Sequence, residues 1–290
     1  NATISNSTKF EAGKKYTYKV KFETTHSGIN VSITGVNIKN WDDGDISGDN
    51  IIDPGILKFD KLYLASGFTD WQLPYEMTKS EDGKTFTWTG NVTGDNQEMK
   101  FALLQQSNIG DVQLMPNMSG KENVNVELNK EMGAYPVIYK DSRDNKWVIT
   151  EKGTYTVTVN VETMKVKVEK LDDVVYLVGT ALTGGYDLKK APYFTKNSEG
   201  KYELTVNLQV GDFKILSKIE YNKSNYDYYA PGENTPFVPG SGMKVDCRQE
   251  NDQDYKWLVA EGQTGTYKLT LDVSDSSNVT LTAEKLENQQ

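Results

Sequence analysis

The stretch GTYTVTVNVETMKVKVEKL (153–171) decides the fold of this chain. Tyr155, Val157 and Val159 alternate with Thr154, Thr156 and Thr158, and after a polar turn Val166 and Val168 resume the alternation. A period of two belongs to a half-buried strand, because successive side chains leave a strand on opposite faces. Two such runs across a short turn predict an antiparallel hairpin. The stretch GTYKLTLDVSDSSNVTLTAEKL (265–286) repeats the pattern, and KKYTYKVKFET (14–24) and KTFTWTGNV (84–92) alternate likewise. Helical periodicity is essentially missing, so the fold class is all-β.

Working outward from the two hairpins, the halves of the chain fall into register. DGKTFTWTGNV (82–92) matches EGKYELTVNL (199–208), and EMKFALLQ (98–105) matches DFKILSKI (212–219), pairing Lys100 with Lys214. DNKWVI (144–149) matches DYKWLV (254–259), pairing Trp147 with Trp257. The offset stays between 110 and 117 residues. A constant offset of this size predicts two tandem immunoglobulin-like β-sandwich modules, 57–171 and 172–290. The joint EKLDDVVYL (169–177) leaves almost no linker, which predicts a semi-rigid pair. Residues 1–56 stand outside the repeat and read as part of an N-terminal β domain of two or three strands. INVSITGVNIKNWDDGDISGDN (29–50) resembles the closing strands of fimbrillin-like domains of bacterial surface proteins.

Composition narrows the function classes. The chain has 290 residues, 37% hydrophobic, with a formal net charge of -9. An acidic chain with scattered lysines repels phosphate backbones, which argues against nucleic acid and disfavours anionic glycans. One cysteine, Cys247, rules out an internal disulfide. No apolar run approaches the ~20 residues of a membrane span. The abrupt start at NATISNSTKF reads as that of a trimmed chain, with any anchor or targeting segment expected outside it.

Catalytic and metal chemistry lack parts. DGDISGDNIIDP (43–54) places Asp43, Asp45, Ser47 and Gly48 as in a calcium loop, but Pro54 stands where the bidentate Glu belongs. An acidic turn is the better reading. One His (His26) and one Cys cannot supply a zinc site. His26, in ETTHSGINV (23–31), has no nucleophile motif near it. Paired carboxylates are always available among 41 acids, yet small sandwiches rarely provide the cleft a glycosidase needs. The chain reads as a non-enzyme without metal or cofactor.

Aromatic residues are the remaining resource. Trp147, Trp257, Tyr155 and Tyr267 lie in repeated strands and read as core. Trp71 stands in KLYLASGFTDWQL (61–73), just past a strand, and Tyr186 holds the matching place in VVYLVGTALTGGYDL (174–188). The segment KIEYNKSNYDYYAPGENTPF (218–237) gathers Tyr221, Tyr226, Tyr228 and Tyr229 in what reads as a loop. Such rings either pack on one another or meet a partner. Sugar suits them: a pyranose offers an apolar C–H face to a ring and a hydroxyl rim to Lys, Arg, Asn or Asp.

YLVGTALTGGYDL, GDFKIL and YKWLVAEGQTGTYKLTLDV in the second module resemble the SusE/SusF family of starch-binding outer-membrane lipoproteins. YLASGFTDWQL, EMKFALL and NKWVITEKGTYTVTVNV give the same order in the first. The resemblance covers roughly residues 57–287. It implies non-catalytic binding of starch, maltooligosaccharide or another neutral glycan, with dextran and levan as alternatives. It further implies a lipid anchor on the outer-membrane surface and a SusC/SusD-like, TonB-dependent transporter as partner. Carried over by position, the first aromatic of each site is Trp71 or Tyr186. The second comes from Tyr226, Tyr228 or Tyr229, with Lys214, Lys218 and Arg248 as basic partners. In the first module Lys100 and Arg143 hold that place, though Lys100 and Lys214 equally suit a solvated strand face. IGDVQLMPNMSGKENV (109–124) lacks an aromatic and offers only Met115 and Met118, which puts full binding by the first module in doubt. A structural or adhesive, pilus-like protein with spacer sandwiches is the competing reading, and a hydrolase the third.

Overall fold

A computed structural model describes residues 57–69, 71, 74–105, 108–116, 122–139, 144–221, 228–248 and 253–287, with the backbone of two strands before them. His26, the acidic turn 43–54, Arg143 and Tyr226 lie outside the described residues. The chain divides into two compact units, Asn1–Asp49 and Asn50–Gln290. In the first, strands Lys14–Thr25 and Gly28–Asn40 form an antiparallel hairpin whose register shifts between Lys19 and Val20. One extra residue on the second strand at that point makes a β-bulge.

The second unit is all-β and holds two main hydrophobic cores built by successive halves of the sequence. In the earlier half a seven-stranded sheet includes Tyr63–Ser66, Gln97–Ala102, Val112–Met115, Tyr135–Ile138 and Trp147–Ile149. A five-stranded sheet includes Thr85–Val92, Gly153–Asn160 and Lys165–Lys170. Their apolar faces enclose Phe86, Phe101, Trp147, Tyr155 and Val157. Both predicted hairpins are present: Gly153–Asn160 pairs with Lys165–Lys170, and Gly265–Asp272 with Thr280–Lys285.

In the later half the layers join. Tyr193–Lys196 pairs with Val174–Val178 on one side and Tyr202–Leu208 on the other, so a single sheet of eleven strands wraps the core. The sequence explains the difference. PYFTK (192–196) crosses between layers as one strand, whereas PYEMTK (74–79) carries one more residue. That residue splits the crossing into Tyr75–Glu76 and Thr78–Lys79, with Met77 buried between them. A strand that switches layers at a sandwich corner tolerates such an interruption.

The repeated aromatics are core, as their place in strands requires. Trp147 and Trp257 are fully buried. Trp147 packs on Phe101, with ring centroids 5.4 Å apart, and Trp257 on Phe213, 5.2 Å apart. Phe101 corresponds to Ile215 and Phe213 to Met99, so the partner ring has moved two positions along one strand without leaving its face. Tyr155 and Tyr267 donate their hydroxyls to the carbonyls of Glu151 and Gln263, at 2.9 and 2.7 Å. A strand tyrosine bonded to backbone a few residues upstream is the tyrosine corner of immunoglobulin-like sandwiches.

Candidate functional site

The strands Gln97–Ala102 and Gly211–Leu216 position the site by alternation. Met99, Phe101, Phe213 and Ile215 enter the cores, so Glu98, Lys100, Asp212 and Lys214 take the opposite face. Trp147–Ile149 runs antiparallel to the first strand with Trp147 opposite Met99. The residues just before that tryptophan, Asp144 and Lys146, are thereby brought over Lys100. Phe213 and Trp257 stand in the same relation, which brings Asp254 and Lys256 to Lys214.

One charged cluster is thus built twice. In the earlier half the Lys100 ammonium bonds the Asp144 carboxylate. Lys146 lies 2.9 Å from Asp144 and 3.7 Å from Glu98. Asn123 donates to Glu98 at 2.6 Å and accepts the Lys146 backbone N–H at 2.9 Å. In the later half Lys214 lies 2.6 Å and Lys256 2.9 Å from Asp254, and Asn234 accepts the Lys256 N–H at 3.0 Å.

Burial and charge set the protonation of these groups. Burial pushes the Lys100 ammonium below its ordinary value, and the Asp144 contact offsets only part of this. For Asp144 and Asp254 burial pulls upward, but hydrogen bonds from two lysines each outweigh it and hold both carboxyls below the usual range. Asp212 is likewise held low: burial opposes, and the Thr180 N–H and hydroxyl and the Tyr186 hydroxyl prevail. Each cluster therefore presents a carboxylate acceptor beside ammonium donors, an arrangement that matches a hydroxyl's ability to donate and accept at once.

Aromatic rings border both clusters. Trp71 is 37% exposed, and the Lys146 ammonium lies 5.9 Å from its ring centroid, at the edge of cation–π range. Tyr139 lies with its ring 4.0 Å from the Lys100 ammonium. In the later half Tyr221 is 48% exposed and donates its hydroxyl to the Tyr186 carbonyl at 2.6 Å.

Several expectations change on this geometry. Lys100 and Lys214 are not solvated strand residues, since both are buried against their aspartates. Tyr186 does not stand out as Trp71 does: its ring packs against a buried cluster that includes Tyr176, Val178, Ala191 and Leu216, and its hydroxyl donates to Asp212 at 2.9 Å. The exposed ring beside it is Tyr221. Tyr228 is no loop residue, because Tyr228–Ala230 pairs with both Gly211–Leu216 and Asp246–Arg248. Arg248 ends that last strand. Lys218 and Tyr229 line a cleft between the two halves. Asp144, Lys146, Asp254, Lys256 and Tyr139 were missed, although DNKW and DYKW repeat the Asp–x–Lys pattern in plain view.

No protein-family model matches the chain, and no curated protein matches it. Among solved structures, the crystal structure of SusF from Bacteroides thetaiotaomicron is similar at 12% sequence identity. The match covers 97% of this chain and 70% of that chain, with a TM-score of 0.31. A likeness of this size leaves function to be argued from the site's own chemistry.

Proposed function

We propose that the chain binds neutral polysaccharide at a bacterial cell surface without cleaving it. One observation carries this reading: an aspartate held by two lysines occurs at matching positions in both halves of the repeat, and each half adds an exposed aromatic ring, Trp71 or Tyr221, from a different place in the chain. The ring covers the apolar face of a pyranose, and the carboxylate and ammonium groups bond its hydroxyl rim. Starch or another neutral glucan fits these groups, with dextran and levan as the other candidates. The bound glycan is held for a SusC/SusD-like, TonB-dependent transporter by a protein lipid-anchored on the outer membrane.

The carboxylates themselves support binding over catalysis. Glycoside hydrolysis needs one carboxyl kept protonated as general acid, hence a raised pKa. Asp144, Asp212 and Asp254 are all held low, which makes them acceptors. Two weak sites on one stiff chain bind a polymer by avidity, because the second contact is intramolecular. The adhesive reading, with the sandwiches as spacers, gains support from the hydrogen bonds that fasten the two halves to each other.

Affinity electrophoresis through gels containing starch, dextran, levan or a β-glucan tests the proposal. Retardation in one gel is expected and names the polymer class. Unchanged mobility in all of them favours the spacer.

A further inference from the structure

We infer that the cleft between the two sandwich halves is a separate binding site for a short neutral oligosaccharide. This rests on the glycan-binding reading but concerns neither sheet-face cluster. The cleft measures about 580 Å³, within the range of small-ligand sites. Its residues come from both halves, among them Asp95 and Lys152 from the earlier one and Tyr202, Lys218 and Tyr229 from the later.

Three properties define what it takes. First, its walls are fixed. Lys152 pairs with Glu220 across the cleft at 2.9 Å and ties one wall to the other. Behind them the Asn91 side chain donates to the Leu188 and Ala191 carbonyls, both at 2.9 Å. A preformed cavity spares a ligand the ordering cost of closing it. Second, its charge is balanced. Four carboxylates (Asp95, Asp172, Asp173 and Glu220) stand with three ammonium groups (Lys152, Lys170 and Lys218). Neither sign dominates, which favours a neutral ligand with many hydroxyls over a phosphate or a polycation. Third, Tyr202 and Tyr229 line it half-buried, two rings of the kind that receive a pyranose C–H face. The polar rim and aromatic wall together describe a di- or trisaccharide segment.

The test is titration calorimetry of the full chain with malto-, isomalto-, cello- and inulo-trisaccharides, one at a time. A chain carrying Trp71→Ala and Tyr221→Ala should keep measurable affinity for the trisaccharide that binds the parent chain. Adding Lys218→Ala or, separately, Asp172→Ala should weaken that residual binding about five- to tenfold, the loss of one solvent-exposed hydrogen bond. Both added positions are solvent-exposed, so the fold survives them. Binding by the parent chain that is abolished by Trp71→Ala and Tyr221→Ala, and unaltered by Lys218→Ala and Asp172→Ala, overturns the cleft site alone. Absence of heat with every trisaccharide and of retardation in every polysaccharide gel overturns the glycan reading with it.

Discussion

Lys100 and Asp144 form a pair whose two halves are unequal. Lys100 is 6% exposed, whereas Asp144 keeps a second lysine, Lys146, at 2.9 Å. Replacing Lys100 with Met leaves the aspartate paired. Replacing Asp144 with Ala strands a buried ammonium beside Lys146. Removing one partner of a fully buried pair costs about 3–5 kcal/mol, and the partial exposure of Asp144 lowers this to about 2 kcal/mol. Denaturant unfolding should show Asp144→Ala losing that much and Lys100→Met under half of it. The same groups set the acid limit. Asp144, Asp212 and Asp254 are held below the ordinary aspartate value of 3.8, so the unfolded chain binds more protons than the folded one in acid. Their contribution is complete above 3.8 and is lost as pH falls through the folded values. Melting temperature should hold down to about pH 5 and fall steeply below pH 4, with a shallower fall in Asp254→Asn. Trp71 and the paired lysines were legible in the sequence because repeat position marks them. Asp144 and Asp254 were hidden in plain sight, since a charged residue three places before a core tryptophan shows no period of its own.

At the scale of elements, the turn after each first strand shows how one repeat tunes its site. In the later half Gly179 sits at φ 146, where a Cβ would stand 2.1 Å from the Asp212 carbonyl oxygen. The earlier half has Ser66 there, buried and bonded to the Thr69 hydroxyl at 2.7 Å. Close backbone approach thus lets Thr180 reach Asp212 at 2.7 Å and fixes the carboxylate that receives Tyr186. Gly179→Ala should cost about 2 kcal/mol or more and free Tyr186, checked by thermal unfolding and by a fall in the tyrosine's titration midpoint. The hairpins and the paired strands were readable from period two and from the repeat. The split crossing at Met77 and the strand at Tyr228–Ala230 were not, because two- and three-residue strands are too short to display alternation and are made by their neighbours.

For the whole molecule, the joint between the sandwiches decides whether two sites act as one. Asn91 is 5% exposed, donates to two carbonyls of the later half, and accepts the Thr154 hydroxyl at 2.8 Å. Thr154 lies 3.0 Å from the Tyr176 hydroxyl, closing a buried polar network across the joint. The short linker announced stiffness in the sequence; the network that enforces it joins residues about a hundred positions apart, which no local pattern reveals. Asn91→Ala should weaken retention by long polysaccharide several-fold, because freeing the joint lowers the effective concentration of the second site. Scattering profiles should broaden in parallel. The most direct measurement of the central claim is affinity electrophoresis of Trp71→Ala, Tyr221→Ala and their combination in the gel that retards the parent chain. The account predicts partial loss of retardation for each single change and a larger loss for the pair, which keeps only the weak retention of the cleft, with melting temperatures preserved. Retardation of the paired variant equal to that of the parent would contradict it.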